Sequence, residues 1–285
     1  MHTGPEASAT RNCAAMDEPH VLYEVADGVA TITLNRPHKR NAMTPEMLVR
    51  LGRAWEDVRA DPTVAVALLV GAGEDNFCSG ADLGRLIPLL TGARRADDEW
   101  DEAFLADPDC LSRALMRGFD VYKPVVAGIA GPALAGGTEI LMGTDFRVAS
   151  ERATFGTTEV RRGIIPAGGT LARLARQIPY TSAMQIVLGG EPVSADFALR
   201  CGLVSRVVAH HDTIRVATET ARRVAEAAPL ALAKAKEVMV RTSGVPLDEA
   251  FAFEAAAMAE IMATEDAREG PLAFMEKREP RWTGR

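Results

Sequence analysis

The chain has 285 residues, 47% of them hydrophobic and 25% charged, and a formal net charge of −7. That composition belongs to a soluble globular protein long enough for a large core, and the acid surplus argues against nucleic acid as a main partner, because phosphate binding needs an excess of Lys and Arg. No apolar run reaches bilayer-spanning length and the first residues carry no signal-peptide core, so neither a membrane nor a secretory route is expected and the reading is cytoplasmic.

In chain order, residues 1–18 mix Gly, Pro, Ser, Asn and charge without periodicity and predict a mobile leader. Val21 to Val25 and Val29 to Leu34 predict paired strands around Asp27-Gly28, a strong hairpin signal. A polar loop, Asn35 to Asn41, follows. Thr44 can cap a helix with Pro45 at its first position, and Met47, Leu48, Leu51, Trp55 and Val58 form its apolar stripe. Val64 to Val70 is continuously apolar and fits a strand buried on both faces. The alternation of strand and helix predicts an α/β fold. Residues 86–119 are irregular, with Leu86, Leu89, Leu90, Trp100, Phe104 and Leu105 among charges, and read as a variable helical segment over a cavity.

Val125 to Ala130 predicts another buried strand. It leads into Gly131 to Asp145, where a small-residue turn hands over to a helix expected to begin near Thr138. The first N–H groups of a helix have no partner inside it and sit at the positive end of its dipole, which suits an anion. Glu139 lies one helical turn after Gly136, so its carboxylate and the Gly136 N–H can face one cavity. Phe146 to Ala149 predicts a strand. Glu159 falls in a short segment before Ala167-Gly168-Gly169-Thr170, which opens a helix through Leu171, Leu174 and Ala175. Thr181 and Ser194 are candidate caps, Gly202 a C-terminal stop, and Leu203 to Val208 a last strand. Beyond residue 210 the pattern is helical throughout, over 213–228, 229–242, 247–264 and 271–277, which places a domain boundary there. Three parts result: 1–18, 19–210 and 211–285. The four cysteines, Cys13, Cys78, Cys110 and Cys201, show no CxxC or metal-ligand spacing; they read as reduced thiols, and no metal site is expected.

Three stretches stand out together: Ser79-Gly80-Ala81-Asp82, Gly136-Gly137-Thr138-Glu139 and Thr158-Glu159-Val160. With Asn35-Arg36-Pro37 and Arg40-Asn41-Ala42 before them and Phe274 to Arg278 after them, in this order, the sequence resembles the crotonase superfamily, in its enoyl-CoA hydratase/isomerase branch. The resemblance implies a spiral of ββα units with a C-terminal helical region that supports trimers or pairs of trimers, and acyl-CoA thioesters as substrates. Coenzyme A is then part of the substrate, and no separate cofactor is expected. It implies an oxyanion hole from the backbone N–H groups of Ala81 and Gly136, and catalytic glutamates at Glu139 and Glu159. Coenzyme A contacts are expected from Lys39, Arg40, Ser79 and Arg85, and from Lys277 reaching a neighbouring subunit.

Addition of water to an α,β-unsaturated thioester places negative charge on the thioester oxygen, where two fixed donors act as it develops. Two carboxyl groups around one water can serve as general base and general acid, with Glu159 the more direct activator of water and Glu139 its partner. An ion pair of Glu159 with Arg161 or Arg162 is the competing structural reading. The chain departs from the family pattern at Thr158, commonly proline, and at Gly84-Arg85, where lysine is common. The alternatives are a Δ3-Δ2-enoyl-CoA isomerase, a kind that commonly keeps one glutamate, and a non-catalytic acyl-CoA-binding scaffold.

Overall fold

A computed structural model describes residues 18–285, so the expected leader lies outside the described residues but for Glu18. The chain starts with a hairpin of β1 (Val21–Ala26) and β2 (Val29–Leu34), paired from Val21 opposite Leu34 to Ala26 opposite Val29. Asp27 and Gly28 between them have φ of 52° and 75°, the mirror-image turn whose twist matches the strands. Helix α1 (Pro45–Ala60) begins where expected: the Thr44 hydroxyl accepts the Met47 N–H at 3.2 Å, and the predicted stripe is buried.

Next come β3 (Val66–Gly71), three short helices α2 (Leu86–Leu90), α3 (Glu99–Ala106) and α4 (Cys110–Ala114), and β4 (Val125–Ile129). The small strand β5 (Ala133–Leu134) and helix α5 (Gly136–Leu141) precede β6 (Phe146–Ser150) and β7 (Thr154–Gly156). Helices α6 (Thr170–Gln177) and α7 (Tyr180–Gly189), strand β8 (Val193–Ser194), helix α8 (Ala195–Arg200) and strand β9 (Arg206–Val208) complete the α/β part. A six-stranded sheet runs in the order β1-β2-β3-β4-β6-β9, parallel except for the hairpin, and β5-β7-β8 form a second, small sheet.

The apolar run of β3 is explained by what covers each side. Ala67 and Leu69 join the large core with α1, while Val66, Leu68 and Val70 pack with Val216, Ala217 and Ala221 on the opposite face. Those last three belong to α9 (Thr213–Ala225), followed by α10 (Pro229–Thr242), α11 (Leu247–Met262) and α12 (Asp266–Glu276). The helical sequence beyond residue 210 therefore begins with a helix that closes one face of the sheet.

Several element ends differ from expectation for local reasons. Helix α7 starts at Tyr180 after Pro179, which puts Thr181 inside the helix and not at its cap. Ser194 does cap α8, accepting the Phe197 N–H at 3.2 Å, and Gly202 follows α8 with φ 78°. The N–H groups of Leu203 and Val204 turn back to the Ala198 carbonyl, at 2.8 and 3.2 Å, so the last strand is shorter than predicted. Helix α9 stops at Ala225, ahead of Pro229, and α12 starts at Asp266 with Pro271 inside it.

Candidate active site

Two loops are laced together by backbone hydrogen bonds. The Gly80 carbonyl accepts the Met43 N–H at 2.8 Å, and the Met43 carbonyl accepts the Asp82 N–H at 2.9 Å. On the other side the Cys78 carbonyl accepts the Leu134 N–H at 2.9 Å. Gly80 has φ 91°, and a Cβ there would lie 2.6 Å from the Ala135 Cβ and 3.1 Å from the Gly136 nitrogen. Only glycine permits both the left-handed conformation and this approach. Ala135 itself takes φ 51°, turning the chain so that α5 starts at Gly136, two residues before the sequence expectation. Ala81 and Gly136 are thereby brought to one cavity of about 290 Å³. Among the described residues neither backbone N–H has a hydrogen-bond acceptor.

The loop carrying Ala81 is held from behind. The Arg36 guanidinium donates to Asp82 Oδ2 at 2.9 Å and to the Ala42 carbonyl at 2.7 Å. Burial alone would raise the Asp82 pKa, but Arg36 and the Gly84 N–H outweigh it and hold it below the ordinary value. The fully buried Asn41 accepts the Arg36 N–H at 2.9 Å and donates to the carbonyls of Ala72 and Phe77, both at 3.0 Å. Cys78, the one cysteine of this loop, donates its thiol to the Asn41 carbonyl at 3.1 Å, and burial pushes it up to about 12, which makes it an inert packing group.

Both glutamates face the cavity. Glu139 sits one turn into α5 and is 7% exposed. Its Oε1 accepts the Gly168 N–H at 2.6 Å. Burial first, then the nearby charge of Glu159, push Glu139 up to about 7, and the Gly168 hydrogen bond only partly offsets them. Glu159 opens a single helical turn, Glu159–Arg162, and is 8% exposed. Burial raises its pKa too, and its Oε2 has no partner among the described residues. The competing ion pair is not formed. Arg161 is drawn to the Gly189 and Gly190 carbonyls and Glu191, and Arg162 to the Thr158 carbonyl at 2.9 Å.

Gly168 was legible only as part of a glycine-rich turn. A Cβ on it would lie 2.5 Å from Leu115 Cδ1 and 2.7 Å from Glu139 Oε2, so its smallness lets its own N–H reach the carboxylate. Its role, like that of the Arg36–Asp82 pair, has no local sequence signal, because each depends on a partner tens of residues away.

Of the expected coenzyme A contacts, Ser79 lines the cavity and its N–H binds the Arg40 carbonyl at 3.0 Å, which sets Lys39 and Arg40 beside this loop. Arg85 faces elsewhere: its guanidinium pairs with Asp97 at 3.2 Å and with Asp98, in a neighbouring polar cavity. Lys277 ends α12 with φ 54° and does not line the glutamate cavity of its own chain.

Two adjacent donors facing two buried carboxyls within a sheet-and-spiral frame are matched by comparison with known proteins. The sequence profile of the enoyl-CoA hydratase/isomerase family matches residues 24–285. The chain belongs to this family. An enoyl-CoA hydratase of Mycobacterium tuberculosis is 37% identical over 94% of this chain and 97% of its own length. The (E)-benzylidenesuccinyl-CoA hydratase of Thauera aromatica is also 37% identical, over 93% of this chain and 99% of its own. Among solved structures, an enoyl-CoA hydratase from Mycobacterium tuberculosis H37Rv superposes with a TM-score of 0.83 at 32% identity, covering 94% of this chain and all of that one. Another from Mycobacterium marinum gives 0.82 at 34% identity, with 94% of this chain and 100% of that chain covered. The fold is that of the crotonase superfamily, as the order of the three stretches implied.

Proposed function

We propose that this chain is an enoyl-CoA hydratase, adding water to a 2-trans-enoyl-CoA to give a 3-hydroxyacyl-CoA. The observation that carries the reading is the pair of buried carboxyls, Glu139 and Glu159, in the cavity that also holds the free N–H groups of Ala81 and Gly136. The thioester oxygen would rest between those two donors. As negative charge moves onto it in the enolate, each fixed donor contributes on the order of 3 kcal/mol. The unpartnered Oε2 of Glu159 is free to take a proton from water attacking C3. Glu139, oriented by Gly168, holds the same water and takes part in delivering a proton to C2.

A family relative is named carnitinyl-CoA dehydratase, 35% identical over 90% of this chain, so the acyl groups named among relatives differ widely. The isomerase reading gains less support, since moving a double bond needs one carboxylate and no activated water, whereas two carboxyls are buried together here. For the carrier, Lys39, Arg40 and Ser79 are proposed to meet coenzyme A, which enters as part of the substrate and requires no further cofactor. Arg85 would have to leave its aspartates to join them, and Lys277 would serve a second copy in a trimer or pair of trimers.

The test is the loss of enoyl-thioester absorbance on adding crotonyl-CoA, with product analysis to separate hydration from isomerisation. E139Q and E159Q should each lower kcat by about 100-fold or more. Hydration intact in both variants would sink the assignment, and a shifted double bond without a hydroxyl would favour the isomerase.

A further inference from the structure

The cavity that holds the glutamates is walled mainly by apolar side chains, among them Leu86, Leu90, Leu111 and Ile165. Two arginines line it as well, Arg117 and Arg162, and the charge of Arg162 partly offsets the effect of burial on Glu159. Arg117 donates Nη1 to the Ala167 carbonyl at 2.7 Å, and Arg162 donates Nη1 to the Thr158 carbonyl at 2.9 Å. Ala167 and Thr158 are themselves lining residues, so both arginines, which are solvent-exposed, are anchored at the open rim of the cavity. Among the described residues neither arginine makes an ion pair, whereas the adjacent Arg161 pairs with Glu191 at 2.7 Å. One carbonyl satisfies only part of a guanidinium fork, and the remaining N–H groups are left for water or an anion.

A plain alkyl chain gains nothing from two such groups and would oppose their hydration. A carboxylate matches the fork and receives charge-assisted, bidentate hydrogen bonds. The charge balance points the same way. Glu139 is held near neutrality by burial and by Glu159, so near pH 7 the two glutamates together carry less than their full two charges. Two guanidinium charges at the rim therefore outnumber the glutamate charge beside them.

We propose that the acyl group of the substrate carries a second, free carboxylate, which Arg117 and Arg162 meet at the rim of the catalytic cavity. This rests on the hydratase reading and names the class of substrate: a 2-enoyl-CoA derived from a dicarboxylic acid. The other source of the same anionic chemistry is a phosphate of coenzyme A, and the experiment separates the two.

Two binding probes and two substrates are used, each pair equal in chain length and differing only in a terminal methyl or carboxylate. Calorimetry compares hexanoyl-CoA with adipoyl-CoA, and kinetics compares hex-2-enoyl-CoA with the 2-hexenedioyl thioester. The parent protein should bind adipoyl-CoA more tightly and show the higher kcat/KM on the carboxylated substrate. In R117Q and R162Q the ratio between carboxylated and methyl-ended ligands should fall about tenfold each, the effect of losing one hydrogen bond to a charged group, and R117K should retain part of the preference. A parent that prefers the methyl-ended ligands overturns the proposal. So does an equal loss for both ligands in R117Q, which would assign the guanidinium to a phosphate or to folding. Because calorimetry needs no turnover, a protein that binds adipoyl-CoA preferentially but hydrates neither substrate keeps the carboxylate site and overturns the hydratase reading instead. Hydration confined to the methyl-ended substrate does the reverse.

Discussion

Glu139 shows how a single side chain couples stability to chemistry. Burial and the charge of Glu159 lift its pKa from the ordinary 4.5 to about 7, so the folded protein favours its neutral form. For an acid raised in this way, the stabilising contribution is complete below the unfolded value and is lost as pH rises through the folded one. The separation between 4.5 and about 7 corresponds to roughly 3 kcal/mol. E139Q cannot ionise, and its amide oxygen can still accept the Gly168 N–H. Its denaturant midpoint should therefore rise relative to the parent between pH 5 and pH 8; parallel curves would mean that Glu139 does not titrate in that window. On the proposed mechanism the same proton serves turnover: kcat/KM for hydration should fall as pH rises through about 7, and the pH profile of E139Q should lack that limb.

At the scale of elements, the site depends on segments that approach more closely than side chains normally allow. The α6 entry loop reaches Glu139 through Gly168, where a methyl group would meet both Leu115 and the Glu139 carboxylate below 3 Å. G168A should push the carboxylate off its position, lowering kcat at least about tenfold with a stability loss of about 1–3 kcal/mol, read by kinetics and urea unfolding. The Ala81 loop is braced by Arg36, whose ion pair with Asp82 leaves only 9% and 17% of the two side chains exposed. Replacing Arg36 with Met strands the Asp82 charge and should cost about 3 kcal/mol, with a matching fall in kcat because the Ala81 N–H loses its support. Unchanged stability in R36M would show that Asp82 finds water instead.

At the scale of the whole molecule, the helices beyond the sheet divide into one that is packed and others that are bare. Helix α9 closes a face of the sheet, while Phe251, Met258 and Met262 of α11 and Phe274 and Met275 of α12 are exposed, Phe274 by 86%. Exposed apolar side chains of this size are what association between chains would cover. The proposed self-association places it between copies of the chain, so light scattering should report three or six times 30.5 kDa. Charged replacements at Phe274 and Met275 should lower that mass; a parent that already runs as a single chain would overturn the assembly. No helix of the described residues is long and apolar enough to cross a membrane, so these faces do not form a spanning segment.

Local patterns in the sequence determined the hairpin, the capped α1 and the doubly buried β3, because the Asp27-Gly28 turn, the Thr44-Pro45 start and an unbroken apolar run each act within a few residues. The family resemblance carried by the order of three short stretches is what named Ala81, Gly136, Glu139 and Glu159 as a set, and all four line one cavity. Tertiary structure alone decided what those residues can do. Whether Glu159 is an ion pair or a free base turned on the direction of Arg161 and Arg162, and the elevated pKa of Glu139 comes from burial and from a charge twenty residues along the chain. Arg85, expected to meet coenzyme A, is occupied by aspartates, while Arg117, which carries no sequence signal, lines the cavity of the two glutamates. Hydrogen-bond direction, desolvation and charge proximity are properties of contacts between distant segments, and they come into being only when the chain has closed on itself.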